Sequence, residues 1–197
     1  YKRQGPYRSI PNIVVSPRNA ADLAALMKYC DSHGRHMTFR AAGTSLNGQA
    51  MGDDILVDVK THFGGMEVRE EGRKLWSRPG VILGDAQAVL SRHGFMLGPD
   101  PGSTSVCTIG GVLADNSGGM RCSLERDSYH SIEELIFVLP SGTIVDTSRG
   151  DEAFRKQEPK LHADLLAFRD KLRANTEMVK FLRTKFSIRN TNGLRID

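Results

Sequence analysis

Two glycine-rich segments hold the residues best suited to chemistry. The first runs Arg40-Ala41-Ala42-Gly43-Thr44-Ser45-Leu46-Asn47-Gly48-Gln49. Small residues from 41 to 45 allow successive backbone N–H groups to point into one concavity, and Thr44 and Ser45 add hydroxyl donors. This is the chemistry of a phosphate or pyrophosphate site, where each hydrogen bond to a charged oxygen contributes about 1.5–3 kcal/mol. Gly43 and Gly48 have the spacing of the first half of a Walker loop, but Gln49 stands where that loop needs Lys. No G-x-G-x-x-G follows a strand, so the Rossmann fingerprint is missing too. Taken alone, the segment fits a structural loop as well as a ligand loop.

The second segment comprises Gly98-Pro99-Asp100-Pro101-Gly102-Ser103-Thr104-Ser105, then Thr108-Ile109-Gly110-Gly111, then Ala114-Asp115-Asn116-Ser117-Gly118-Gly119. A stretch so poor in bulky side chains builds little core but can lay backbone against a flat ligand. Ser105, Thr108 and Asn116 offer hydrogen bonds. Loops longer than about 12 residues in compact domains are usually functional or disordered. Ile109, Val112 and Leu113 argue against disorder. Two such segments suggest one extended ligand bridging two subdomains.

Other candidates read as structural. His93 and His130 stand alone near a helix end and a turn. Asp100 could be a base, yet between two prolines it is better placed to satisfy backbone donors in a turn. Cys30, Cys107 and Cys122 are odd in number and widely spaced without a C-x-x-C, which fits buried thiols in a reducing compartment and no metal or disulfide framework. No catalytic residue is assigned and no metal site is indicated.

These segments need elements to hold them. Asn12 to Ser16 reads as a strand stopped by Pro17, and Asn19 as the N-cap of a helix. Leu23, Leu26, Met27 and Cys30 form its buried stripe, and Gly34 ends it. Met37 to Arg40 and Ile55 to Val59 are further strands, which together make a small α/β unit. Leu75 to Arg78 is a strand before a Pro79-Gly80 turn. Leu83 to His93 is a helix with Leu83, Ala86 and Leu90 on one face and Gly94 as its stop. Ile132 to Leu139 and Thr143 to Asp146 flank Pro-Ser-Gly as a hairpin. Beyond Gly150 the chain is helical, with Leu161, Leu165, Phe168 and Leu172 in period, and a second helical piece ends near Phe186.

Composition is that of a globular chain: of 197 residues, 39% are hydrophobic and 25% charged, which excludes a disordered tail. No apolar run reaches the roughly 18 residues of a spanning helix, and the start does not read as a signal peptide. The expected location is cytoplasmic, either free or peripheral to the inner membrane. The net charge of +4 supports only a weak preference for anions. Lys180, Arg183, Lys185, Arg189 and Arg195 form the densest basic segment; few aromatics interleave with it, so it reads as a solvated helical face and no nucleic-acid partner is expected.

In order, R-A-A-G-T-S-L-x-G-Q-A, P-D-P-x-S, T-I-G-G-x-x-A-x-N-S-G-G and E-x-I-x-V-L-P-S-G resemble the flavin-binding domain of the vanillyl-alcohol oxidase type, also called PCMH-type. The motifs lie within residues 10–148. The resemblance implies an α+β fold of two α/β subdomains, a small three-stranded unit and a larger, mainly antiparallel sheet, with FAD between them. The expected boundaries are 1–62, 63–150 and a helical extension over 151–197. The implied FAD contacts are Arg40, Ala41, Ala42, Gly43, Thr44, Ser45, Leu46, Gly48 and Gln49 on the first segment. On the second they are Pro99, Asp100, Pro101, Ser105, Thr108, Ile109, Gly110, Gly111, Ala114, Asn116 and Gly118. Within these, Ala42 to Ser45 would take the pyrophosphate and Thr108 to Gly118 the ribityl and ring side.

The tail Arg189-Asn190-Thr191-Asn192-Gly193 resembles the K-N-T-x-G segment of the D-2-hydroxy-acid dehydrogenase branch, which includes forms fused to iron–sulfur modules. That branch implies a flavin-dependent oxidoreductase passing the α-hydrogen of a small hydroxy acid to flavin N5 as a hydride, with an unknown electron acceptor. An FAD-dependent reductase of the UDP-N-acetylenolpyruvylglucosamine type, or a noncatalytic nucleotide- or anion-binding module, are the alternatives.

The chain departs from the family pattern in three ways. Ala41 and Ala42 replace glycines of R-G-G-G-T-S and are acceptable only at negative φ. Thr44 stands where covalently flavinylated members have His, so FAD is expected to bind noncovalently. The family's G-S-E-G-T-L-G, substrate cap and catalytic histidines or metal ligands normally follow the position where this sequence stops. The chain is therefore expected to be a fragment that holds flavin weakly, and any iron–sulfur cluster would belong to a later region.

Overall fold

The computed structural model describes residues 9–188. The Arg189–Gly193 segment and Arg195 lie outside the described residues. Strand β1 (Ile13–Val15) leads through Pro17 into helix α1 (Ala20–His33). The side chain of Asn19 caps α1 by accepting from Asp22 N at 2.9 Å, and Gly34 ends it at φ +58°. Strands β2 (Met37–Arg40) and β3 (Ile55–Asp58) complete a parallel sheet in the order β1-β3-β2. Ile13 and Met37 both sit opposite Ile55, so β3 is central. It is buried from Ile55 to Val57, where Ile55 and Val57 pack with Cys30 of α1 and with Val15, Leu23, Leu26 and Met37.

The remainder is antiparallel and helical. Strands β4 (Met66–Arg69) and β5 (Lys74–Ser77) pair through a tight 3-10 turn. Helix α2 (Leu83–Ser91) buries Leu83, Ala86 and Leu90, as its period requires. The second core joins Leu83, Cys107 and Val112, with Leu97 and Ile109 packed against them. Short helices α3 (Ile109–Asp115) and α4 (Ser128–Ser131) precede the hairpin of β6 (Ile136–Val138) and β7 (Ile144–Asp146). Gly142 at its turn adopts φ +78°, where a Cβ would lie 2.9 Å from Ala24 O; the hairpin thus rests on α1.

Helices α5 (Gly150–Gln157), α6 (Pro159–Ala174) and α7 (Thr176–Phe186) form the extension. The stripe expected on α6 is helical but not buried: Leu165 and Phe168 are half exposed, and the residue α6 buries is His162. Its Nε2 is 2.9 Å from Asp151 Oδ1, and its ring meets Phe154 edge-on. No described helix is long and apolar enough to cross a membrane.

Among the described residues the antiparallel strands form two separate two-stranded sheets, β4–β5 and β6–β7, in place of the one larger sheet expected. Two further sequence expectations change. The second glycine-rich segment is not one irregular loop, because Thr108 Oγ1 accepts from Gly111 N at 3.3 Å and starts α3. The strand expected from Ile132 begins at Ile136, since Asp127 caps α4 immediately upstream.

Candidate functional site

The first segment leaves the C-terminal end of β2, the side of a parallel sheet where ligands bind in open α/β folds. Arg40 Nη1 donates to Ala50 O at 3.1 Å and closes the base of the loop. Gly43 is buried at φ +65°, a backbone state that L side chains rarely adopt. Ala41 and Ala42 are not among the positive-φ residues, which meets the condition for replacing glycine there. Gly48 turns the chain back at φ +81°, with Met51 N donating to Gly48 O. Ser45 Oγ donates to Gln49 Oε1, while Leu46 is largely exposed. Among the described residues, no backbone N–H from Ala41 to Ala50 donates to a protein acceptor. Such a run of uncommitted donors beside a guanidinium suits an anion.

One carboxylate stands nearby. Asp58, opposite Arg40 across the β2–β3 ladder, accepts from Lys60 N at 2.7 Å and Thr61 N at 3.1 Å. Burial pushes its carboxyl up, but the Thr61 hydroxyl and these two N–H groups outweigh that and leave it below the ordinary value. Asp58 therefore stays ionised and is committed to its own turn.

The second segment is framed by α2 and the Pro79-Gly80 turn. Leu83 N donates to Cys107 O, Gly84 N to Thr104 O, Ile109 N to Val81 O and Gly110 N to Pro79 O, all between 2.8 and 2.9 Å. Gly110 is needed because a Cβ would lie 2.4 Å from Pro79 Cβ. The N–H groups of Ile109, Gly110 and Gly111 are thus bound within the protein, and their part in the site is to hold α3 in place rather than to donate to a ligand.

Asn116 ends α3 in the left-handed region at φ 44°, and its Oδ1 is buried without a hydrogen-bond partner. An orphaned acceptor of this kind carries a desolvation cost until a donor reaches it. Asp100 is a staple and not an exposed base: its backbone N donates to Gly118 O, and its carboxylate accepts from Arg121 N at 3.1 Å and Arg121 Nε at 2.9 Å. Pro99 and Pro101 flank it; Pro99 O accepts from Gln87 Nε2 at 3.4 Å, and Pro101 O accepts from Thr104 N at 2.9 Å. Ser105 lies exposed beyond this turn, and Ala114 lies on α3.

Two framing residues escaped the sequence reading. Gln87 Nε2 donates to Leu97 O at 2.9 Å and Gln87 Oε1 accepts from Leu97 N at 3.0 Å, which pins the entry to the second segment. Its signal was available: it is the polar residue in the Leu83, Ala86, Gln87, Leu90 stripe. Arg121 had none, because its partner lies 21 positions away.

The other singled-out residues take structural places. His130 Nδ1 is 2.7 Å from Asp127 Oδ1. His93 packs under Gly72, and the three cysteines are free and buried. Among the described residues no group of His, Cys, Asp or Glu could hold a metal ion. The uncommitted donors of the first segment fit a pyrophosphate, and the Asn116 acceptor fits a hydroxyl or N–H donor.

Comparison with known proteins agrees with this chemistry. The FAD binding domain family matches residues 11–148. Glycolate oxidase subunit GlcD of Bacillus subtilis is 32% identical over 152 residues, covering 75% of this chain and 32% of GlcD. D-2-hydroxyglutarate dehydrogenase of Pantoea ananatis is 28% identical over 145 residues, covering 72% of this chain and 14% of that enzyme. The chain thus spans a third or less of these relatives. Among solved structures, 6-hydroxy-D-nicotine oxidase from Arthrobacter nicotinovorans shares the fold, with a TM-score of 0.64 at 19% identity over 73% of this chain and 31% of its own. Carried by a match over most of its length and by two segments with the matching chemistry, the chain belongs to the FAD binding domain family.

Proposed function

We propose that this chain is the FAD-holding part of an oxidoreductase that oxidises a D-2-hydroxy acid. The observation that carries the reading is the run of backbone N–H groups from Ala41 to Ala50 without protein acceptors, gathered around buried Gly43 and backed by Arg40. Gly43, Thr44 and Ser45 bind the pyrophosphate; Thr108 and Gly110 orient α3, and Asn116 Oδ1 accepts from the ribityl or ring side. Arg40, Leu46, Gly48 and Gln49 shape the first wall, and Pro99, Asp100 and Pro101 the second. Binding is noncovalent, with Thr44 offering no nucleophile suited to flavin attachment.

Bound FAD would supply the hydride acceptor for the substrate α-hydrogen. Asp58 and Asp100 both spend their oxygens on neighbouring donors, and Asp115 accepts from Ser117 Oγ at 3.1 Å. The group that takes the substrate hydroxyl proton therefore comes from elsewhere in the enzyme. D-lactate and D-2-hydroxyglutarate appear in the names of its relatives and support the D-2-hydroxy acid class, while glycolate, which is achiral, supports the 2-hydroxy acid alone.

The test has two arms. FAD titrated into the chain should lose fluorescence saturably, and Gly43→Val should weaken this binding at least about tenfold. In the full-length protein, anaerobic addition of a D-2-hydroxy acid should bleach the visible flavin band, with the L-enantiomer inert. An unaltered FAD Kd in Gly43→Val would refute the pyrophosphate assignment; a flavin that no 2-hydroxy acid reduces would refute the substrate class.

A further inference from the structure

The helical extension lies outside the part of the chain matched to the FAD family, and it carries a groove that neither glycine-rich segment lines. An open groove of about 500 Å³ runs along α7, lined by Arg173, Thr176, Lys180, Arg183, Thr184 and Ser187. That volume is within the roughly 300–1,000 Å³ of small-molecule sites. From Thr176 to Ser187 the lining residues keep the spacing of one helical face, and Arg173 reaches it from the last turn of α6.

The charge of the groove is uncompensated. Earlier in the extension three cations are paired, Lys156 with Glu152 at 3.0 Å, Lys160 with Asp164 at 2.7 Å and Arg169 with Asp170 at 2.8 Å, while Arg155 and Lys171, like the groove cations, form no ion pair among the described residues but do not line the groove. Among the described residues Arg173, Lys180 and Arg183 form no ion pair. Between Arg173 and Ser187 the sequence offers a single carboxylate, Glu177. The hydroxyls of Thr184 and Ser187 donate to Lys180 O and Thr184 O, so their protons are taken and the cations must do the binding.

We propose that this groove is a second anion site, taking a small phosphate-bearing ligand of diphosphate or triphosphate size. Lys180 and Arg183 are one helical turn apart and Arg173 faces the same groove, which suits a ligand with more than one charged group. A nucleic-acid strand would need aromatic platforms, and none lines the groove; Phe181 is exposed but outside it. An acidic protein helix would need apolar anchor pockets, and Val179 is the one apolar residue in the lining.

The experiment is calorimetric titration of inorganic pyrophosphate at low ionic strength, on the chain with Gly43→Val as background so that the first segment does not contribute. Saturable binding is expected, weakened about tenfold or more by Lys180→Ala with Arg183→Ala. It should be unchanged by Lys156→Ala with Lys160→Ala, which removes equal charge from the same extension. No saturable binding, or equal loss in both double variants, would overturn the proposal. So would a single-stranded oligonucleotide outcompeting pyrophosphate at the Lys180–Arg183 face.

Discussion

Gly43 and Arg40 are fitted to each other: at φ +65°, a Cβ on Gly43 would stand 2.5 Å from Arg40 Nη2. The same guanidinium donates to Ala50 O through Nη1, so the residue that ends β2 both closes the loop and fills the space behind its turn. Backbone geometry and positive charge meet at one point, which a pyrophosphate requires.

Gly43→Val should therefore cost FAD affinity at least about tenfold. A side chain in the left-handed region costs about 1–2 kcal/mol, and the contact with Arg40 adds to it. The parallel sheet does not depend on this turn, so the far-UV circular dichroism should stay unchanged. Flavin fluorescence titration reads the affinity, and an unaltered Kd would remove the pyrophosphate from this loop.

Asn116→Gly separates backbone from side chain. Glycine accepts the φ of 44° at α3's end without strain, so the fold should hold or gain slightly. What disappears is the buried Oδ1 without a protein partner. If that atom receives a donor from bound FAD, affinity should fall about fivefold to tenfold or more, at unchanged or raised Tm without FAD. Equal affinity for the variant would show that Asn116 serves the helix end alone.

The elements flanking the glycine-rich segments were legible because their signals are local. Small residues after a strand, Asn19 before a helical stripe and Gly34 after it each act within a few residues, and each appears where its chemistry places it. Long-range framing was less visible. The helix at Ile109–Asp115 was hidden in a glycine-rich run, because its start depends on Thr108 being buried against α2 and on Pro79 accepting from Gly110. Periodicity on α6 gave the helix but not its buried side: Leu165 and Phe168 face outward while His162 is held by Asp151 and Phe154. A stripe of apolar residues states a period; which neighbour covers it is a tertiary matter.

Asp100→Ala tests the staple. It removes acceptors for Arg121 N and Nε and frees the turn that Gly118 and Gly119 complete. The Asp100 side chain is mostly buried, so the loss should be about 1–3 kcal/mol, read as a lowered Tm. An unchanged Tm would show that the Arg121 contacts do not hold this turn.

Acid sensitivity should trace to Asp54. The Arg35 guanidinium, with Nε 2.9 Å from Oδ2, and then His36 N, also at 2.9 Å, hold its carboxyl well below the ordinary value. An unfolded chain would protonate Asp54 near pH ~3.9. Its contribution to stability is therefore fully present above that value and is lost as pH falls through the lower folded value, because the unfolded state binds the proton first. Asp54→Asn should lower the urea midpoint at neutral pH, and the variant and wild-type curves should converge as the pH is taken below about 4. Raising the salt should shrink the difference, since Arg35 is partly exposed. Parallel curves across the acid range would place the acid-sensitive contact elsewhere than the link between β3 and the end of α1.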